Sequence, residues 1–296
     1  MKCSHSKIIL KKENQHQKNS HKAIVLYITM TEKELLSTAI TAAISAGAEI
    51  LDVYQHDFEV EFKIDKSPLT MADRRAHDAI CAALLPTGLP ILSEEGKNIP
   101  FDERKGWKEF WLVDPLDGTK EFVKRNGEFT VNIALVIDGK AVMGVILVPV
   151  SGLLYFASRS SGAFKIVLSG NEDFNIDKLM SDAVILPAEK NDDTLTVVCS
   201  RSHQSPETVD FIETLRKTDA VIDLISIGSS LKMCLIAEGK AHIYPRFGPT
   251  MEWDTAAGQA ILEIAGANMN QVDSNIPVQY NKPDLRNPWF VASRPR

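Results

Sequence analysis

The chain of 296 residues has only four cysteines, Cys3, Cys81, Cys199 and Cys234, and no CxxC or Cys/His spacing links them. That excludes a disulfide frame and a zinc site, and fits buried thiols in a reducing compartment, the cytoplasm. No apolar run approaches the roughly 18 residues of a membrane span. GxGxxG, GxxxxGK[ST], HExxH and GxSxG are all missing. No dinucleotide fold, P-loop, zincin or serine-hydrolase elbow is therefore indicated. Repeats and low-complexity segments are absent as well. Positive charge is not in excess, for the formal net charge is -6. This argues against a nucleic-acid polymer as partner. An anionic small molecule would have to be drawn in by metals or by a local Lys/Arg cluster.

What remains is an ordinary globular composition, 44% hydrophobic and 24% charged. The first 29 residues are polar and basic, with Lys2, Lys7, Lys11, Lys12, Lys18 and Lys22, and hold one short apolar run, Ala23 to Ile28. No small-residue cleavage site follows that run, so the segment reads as a mis-assigned start or a disordered tail. A start at Met30 opens cleanly on Thr31 and Glu34, a capping box. Apolar residues then recur at helical spacing from Glu32 to about Tyr54. Phe58 to Ile64 alternates like a strand. Arg74 to Leu85 is a second amphipathic helix stopped by Pro86 and Gly88, and Leu89 to Ser93 a short strand. Val131 to Ile137, Asp138-Gly139 and Lys140 to Val148 form a hairpin with a two-residue turn. Leu153 to Ser158 and Ala163 to Val167 form another.

Further on the rhythm becomes α/β. Strands at Leu195 to Cys199, Val221 to Ser226 and Ala241 to Tyr244 alternate with helices at Pro206 to Lys217, Ser229 to Ala237 and Trp253 to Ala265. The polar stretch Ser169 to Asp193 divides an α+β half (30–180) from an α/β half (181–296). Trp107, Phe110 and Trp111 read as core, not as a base-stacking platform.

Four acidic stations stand at predicted element ends: Asp73 before a helix, Glu94 after a short strand, Asp114 with Asp117 at the close of an apolar strand, and Asp254 in a first helical turn. Each alone also fits a cap or a solvated turn. Asp114 and Asp117 are crowded onto one turn across a proline, so they repel each other. A hard divalent cation such as magnesium is the natural counter-charge for such oxygens.

The strings Asp114-Pro-Leu-Asp117-Gly-Thr119, Glu94-Glu95 and Trp253-Asp254-Thr-Ala-Ala257 together resemble the inositol monophosphatase superfamily of magnesium-dependent, lithium-sensitive phosphatases. DPLDGTKEFVKRNGEFTVNIA (114–134), Ser200-Arg-Ser-His203, Gly228-Ser-Ser-Leu-Lys232 and Tyr244 to Asp254 are similar to its CysQ branch, the 3'(2'),5'-bisphosphate nucleotidases. Glu121, where plain inositol monophosphatases have an Asn-like residue, points the same way. The resemblance runs from about Thr31 to the C-terminus.

It implies a layered αβαβα sandwich with the site at the junction of its halves. It implies two magnesium ions and a weaker third. Glu94, Asp114 and the Leu116 carbonyl would hold the first, and Asp114, Asp117 and Asp254 the second. Asp73 and Thr119 would orient and deprotonate the attacking water. Glu94, Gly118, Thr119, Ser200, His203, Ser229, Lys232, Arg246 and Asp254 would meet the nucleotide bisphosphate. For Lys232 and Arg246 the alternative is an ordinary surface charge. The reaction implied converts adenosine 3',5'-bisphosphate, a by-product of sulfate assimilation, to AMP and phosphate. An inositol or sugar phosphatase on the same scaffold is the alternative. A cytoplasmic monomer or homodimer is expected, with peripheral contact of the basic tail to the cytoplasmic face of the inner membrane left open.

Overall fold

The computed structural model describes residues 30–57, 60–62, 68–169, 175–189, 194–200, 205–218 and 221–295. The basic tail, with the expectations about its start and its membrane contact, lies outside the described residues. So does most of the strand expected over Phe58 to Ile64, of which Val60–Phe62 (β1) pairs antiparallel with Pro68–Thr70 (β2).

Helix α1 (Glu32–Tyr54) begins at the expected capping box: Thr31 N–H donates to Glu34 Oε2 at 2.6 Å, and Glu34 N–H to Thr31 Oγ1 at 3.2 Å. By length and apolar composition alone it would suffice to cross a membrane. Counting only contiguous apolar residues hid this, because Ala, Gly, Ser and Thr are interspersed with Ile and Leu. The helix is nevertheless a core element. Leu36, Ile40, Ala43 and Ile50 are fully buried, packed with helix α2 (Met71–Leu84) on one large sheet. Helix α2 starts three residues before the expected Arg74. Thr70 is its N-cap, and its N–H and hydroxyl both donate to Asp73 Oδ2 at 2.7 Å. Asp73 therefore sits inside the first turn and not ahead of it.

That sheet has seven strands in chain order: β3 (Ile91–Ser93), β4 (Glu109–Asp117), β5 (Thr130–Ile137), β6 (Lys140–Val148), β7 (Leu153–Ser158), β8 (Gly162–Val167) and β9 (Val184–Ile185). Only β3 and β4 are parallel; the rest is an antiparallel meander. The β5–β6 turn has positive φ at Asp138 (48°) and Gly139 (74°), as a two-residue hairpin requires. Short helices α3 (Phe101–Arg104), α4 (Thr119–Val123) and α5 (Ile176–Asp182) fill connections where no helix was expected.

The second sheet contains β10 (Leu195–Ser200), β11 (Ile222–Ile227), β12 (Ile243–Arg246), β13 (Asn268–Gln271) and β14 (Phe290–Ser293), in the order β11-β10-β12-β14-β13. Helices α7 (Leu231–Glu238) and α8 (Glu252–Ile264) lie between the sheets, and α6 (Pro206–Arg216) covers the outer face. The layers run α1/α2, sheet, α7/α8, sheet, α6, which is the αβαβα sandwich. Strands β13 and β14 are absent from the expectation, since neither carries a strong apolar alternation. Between layers, α8 touches β6 backbone to backbone: a Cβ on Gly144 would stand 2.2 Å from the Ala257 carbonyl oxygen. Cys199 and Cys234 are buried free thiols and Cys81 is half-buried.

Candidate active site

The site forms where β3, β4, α2, α7 and α8 end near one another. Glu94 follows β3 directly, and its N–H donates to Val113 of β4 at 3.1 Å, which pins the turn to the neighbouring strand. Asp114 is 1% exposed and faces Asn132 across the β4–β5 pair. The register shifts between Asp114 and Asp117. Pro115 has no N–H to give the ladder, so β4 buckles there and the backbone curls back. The Leu116 N–H then donates to Asp114 Oδ1 at 3.0 Å. Gly118, at φ 93°, turns the chain into α4, and a Cβ there would crowd Glu128 O at 3.3 Å and Ser229 Cβ at 3.4 Å. Asp254 lies in the first turn of α8, where Met251 N–H donates to its Oδ2 at 2.8 Å.

The fold brings one oxygen each of Glu94, Asp114 and Asp254 within 4.8 Å of one another. This trio crosses the two ligand sets expected from the sequence. Asp117 stands beside it with Oδ2 committed elsewhere: Ser230 Oγ donates to it at 2.8 Å and Asn132 Nδ2 at 3.4 Å. Thr119, the first residue of α4, donates its hydroxyl to Asp73 Oδ1 at 3.3 Å and lies 3.4 Å from the Leu116 carbonyl. The pairing of Thr119 with Asp73, 46 residues apart, is thus present in the fold.

Burial pushes the Asp114 carboxyl well above the usual aspartate range, and the charges of Glu94, Asp117 and Asp254 push it further. Asp254 is raised the same way, by burial first and then by Asp117 and Glu94. Asp117 is raised by burial but held back by Lys232, Ser230 and Asn132. An all-oxygen set of converging, mutually repelling carboxylates fits a hard divalent cation, which would relieve both the repulsion and the desolvation.

Beside the acids opens a cleft of roughly 600 Å³, lined among others by Asp117, Gly118, Ser229, Lys232, Arg246 and Asp254. Lys232 is not a surface charge, being 6% exposed. Its ammonium donates to the Ser229 carbonyl and stands 5.6 Å from the Tyr244 ring centroid. Burial lowers its pKa to about 8, against the upward pull of Asp117. Arg246 is partly buried and anchored by a 2.9 Å bond to the Pro249 carbonyl. Ser229 adopts a left-handed backbone, φ 45°. The Ser200 side chain and all of His203 lie outside the described residues. Sequence reasoning missed Asn132 as part of the site, and placed Ser230 with Ser229 and Lys232 at a helix N-terminus suited to an anion, not beside Asp117. Both lie within the strings that carry the family resemblance, but neither bears a charge that would single it out.

A layered sandwich with a carboxylate cluster at the junction of its sheets, able to hold a metal ion, and a cationic cleft beside it defines the class of fold. The chain belongs to the inositol monophosphatase family, which it matches over residues 31–295. It is 41% identical over 264 residues to the 3'(2'),5'-bisphosphate nucleotidase CysQ of Shigella flexneri, covering 88% of this chain and 99% of that protein. It is 36% identical over 271 residues to the protein of the same name from Haemophilus influenzae, covering 89% and 94%. Among solved structures it resembles CysQ from Bacteroides thetaiotaomicron, described as a bacterial member of the inositol monophosphatase family. Identity there is 50% and the TM-score 0.83, over 90% of this chain and 98% of that one.

Proposed function

We propose that this protein is a magnesium-dependent 3'(2'),5'-bisphosphate nucleotidase that hydrolyses adenosine 3',5'-bisphosphate to AMP and phosphate. One observation carries the reading. Oxygens of Glu94, Asp114 and Asp254 converge within 4.8 Å at the edge of a cleft that also holds Lys232 and Arg246. The names of the relatives supply the substrate class.

Phosphate monoester hydrolysis is among the slowest uncatalysed reactions, and its transition state spreads charge over the phosphoryl oxygens. When bound, magnesium supplies positive charge to those oxygens. Glu94, Asp114, Asp117 and Asp254, with the Leu116 carbonyl, would hold two ions and a weaker third. The chain's own residues do the rest. Thr119 donates to Asp73, so its oxygen is left to accept a hydrogen bond from the attacking water. As the water oxygen bonds to phosphorus, a water proton passes to Thr119 Oγ1, and the ribose 3'-oxygen leaves with the bonding electron pair and takes a proton from solvent water to become the 3'-hydroxyl of AMP. The Thr119 proton moves to Asp73 Oδ1. Asp73 is held for this by its cap bonds to Thr70, which occupy the other oxygen. Gly118, without a side chain, lets the phosphate approach the backbone. Lys232, Arg246 and Ser229, with Ser200 and His203, bind the remaining phosphate and the nucleoside. Free thiols at Cys81, Cys199 and Cys234 suit a cytoplasmic enzyme clearing a by-product of sulfate assimilation.

Phosphate release from adenosine 3',5'-bisphosphate, inositol 1-phosphate and fructose 1,6-bisphosphate, with and without magnesium and lithium, tests this. The nucleotide should be preferred by at least about tenfold, the discrimination that about 1.4 kcal/mol of differential binding provides. A smaller preference would overturn the nucleotidase assignment in favour of an inositol or sugar phosphatase.

A further inference from the structure

We propose that Ser230 and Asn132 are positioning residues that hold the Asp117 carboxylate for the cation site, so that cation affinity is set partly from α7. This rests on the metal-site reading of the acids. Asn132 is 1% exposed on β5 and Ser230 2% exposed at the start of α7, 98 residues apart in the chain. Neutral polar groups buried this deeply cost stability unless they are bonded, and an apolar pair would fill the space at less cost. Both side chains reach Asp117 Oδ2.

The network has one direction. The Thr130 hydroxyl donates to Asn132 Oδ1 at 3.0 Å, which fixes the amide with Nδ2 facing the site. Nδ2 donates to Ser230 Oγ at 2.8 Å and lies 3.4 Å from Asp117 Oδ2. Ser230 Oγ is also 2.8 Å from Asp117 Oδ2 and 2.8 Å from the backbone oxygen of Asp254. A hydroxyl has a single proton. Because Asn132 already occupies an acceptor position on that oxygen, the proton must point outward to one of the two acceptors. A carboxylate is the stronger acceptor, so it goes to Asp117. Asp117 is thereby oriented from two sides, by Asn132 of β5 and by Ser230, the N-cap residue of α7 in the other half of the chain. Ser230 also touches the main chain of Asp254, so one side chain spans an acid from each half.

Outer-shell partners of metal ligands set affinity by holding ligand geometry, and losing one typically weakens metal binding by about 10- to 100-fold. The test is calorimetric titration of the metal-stripped protein with magnesium alone. Ser230→Ala should weaken magnesium about 10- to 100-fold, and Ser230→Thr, which keeps the hydroxyl, should stay within about threefold of wild type. Asn132→Ala should weaken it in the same direction, reading the network from the other sheet should Ser230→Ala fail to fold. In an Asp117→Asn background, Ser230→Ala should add less than about twofold, because the carboxylate it orients is gone. Wild-type affinity in both Ser230→Ala and Asn132→Ala overturns the proposal. An undiminished Ser230→Ala effect in the Asp117→Asn background overturns it too. Failure of the underlying reading looks different: Asp114→Asn would then bind magnesium as wild type does.

Discussion

Lys232 shows how burial can tune the charge of a single side chain. Its pKa of about 8 lies well below the usual 10.5 for lysine. Between those values the folded protein binds fewer protons than the unfolded chain, so this residue's contribution to stability rises with pH across that window. Below it the buried charge is a standing cost. In the role proposed for it, binding would follow the opposite sign, because the ammonium that would attract phosphate is lost as pH rises through about 8. We expect kcat/KM to fall on the alkaline side with an apparent pKa at or below that value, since a cation held by Asp117 and Asp254 would offset their upward pull on Lys232. Lys232→Met should lose this limb and lower kcat/KM by about 10- to 150-fold, the worth of a hydrogen bond to a charged group at about 1.5–3 kcal/mol. A pH–rate profile of both proteins decides the matter; a wild-type profile that stays flat well above pH 8 would contradict it.

At the scale of elements, the contact between β6 and α8 governs where Asp254 sits. Gly144 has no room for a Cβ against the Ala257 carbonyl, so Gly144→Ala must push α8 away from the sheet. Overpacking of this kind costs about 1–3 kcal/mol. Here it should also weaken magnesium binding, because the first turn of α8 carries an acid of the cluster. Ile261→Val, a buried change on the same helix, should cost a similar 0.5–1.5 kcal/mol, roughly, without touching magnesium affinity. Urea melts and magnesium titrations of the two variants make the comparison.

The elements also show what local sequence conveys. Both ends of α1 were legible because Thr31 and Glu34 form a box and the apolar period is sustained to Tyr54. The β5–β6 hairpin was legible from Asp138-Gly139. The start of α2 was not, because Thr70-x-x-Asp73 is itself a capping box and the acid was read as lying before the helix. Strand β13, Asn-Met-Asn-Gln, has no strand-like composition at all; only pairing with β14 makes it one. The acids of the site announced themselves by charge within family strings. Ser230 and Asn132 did not, since their role arises from a neutral bond between residues on different elements.

For the whole molecule, the acid cluster is a stability liability placed where the two sheets meet. Asp114 and Asp254 have raised folded-state pKa values, so the stability they contribute is present below the ordinary aspartate value of 3.8 and is lost as pH rises through their folded values. The chelated protein should therefore melt at a lower temperature at neutral pH than in mild acid, and magnesium should abolish the difference. Asp114→Asn should raise the melting temperature of the chelated protein by roughly 2–4 °C, the shift for about 1 kcal/mol in a large domain, while abolishing turnover. Calorimetric scans with and without chelator measure this; a lower melting temperature for the variant would refute the repulsion. The order of the second sheet carries one more consequence. Strand β14 joins β12 to β13 although it is the last of the five in the chain. On the ribosome, α8 with Asp254 is made before the strand that closes the sheet backing it. The ability to grip an ion should accordingly arise only once β14 has been made and has paired with β12 and β13, not when Asp254 itself emerges.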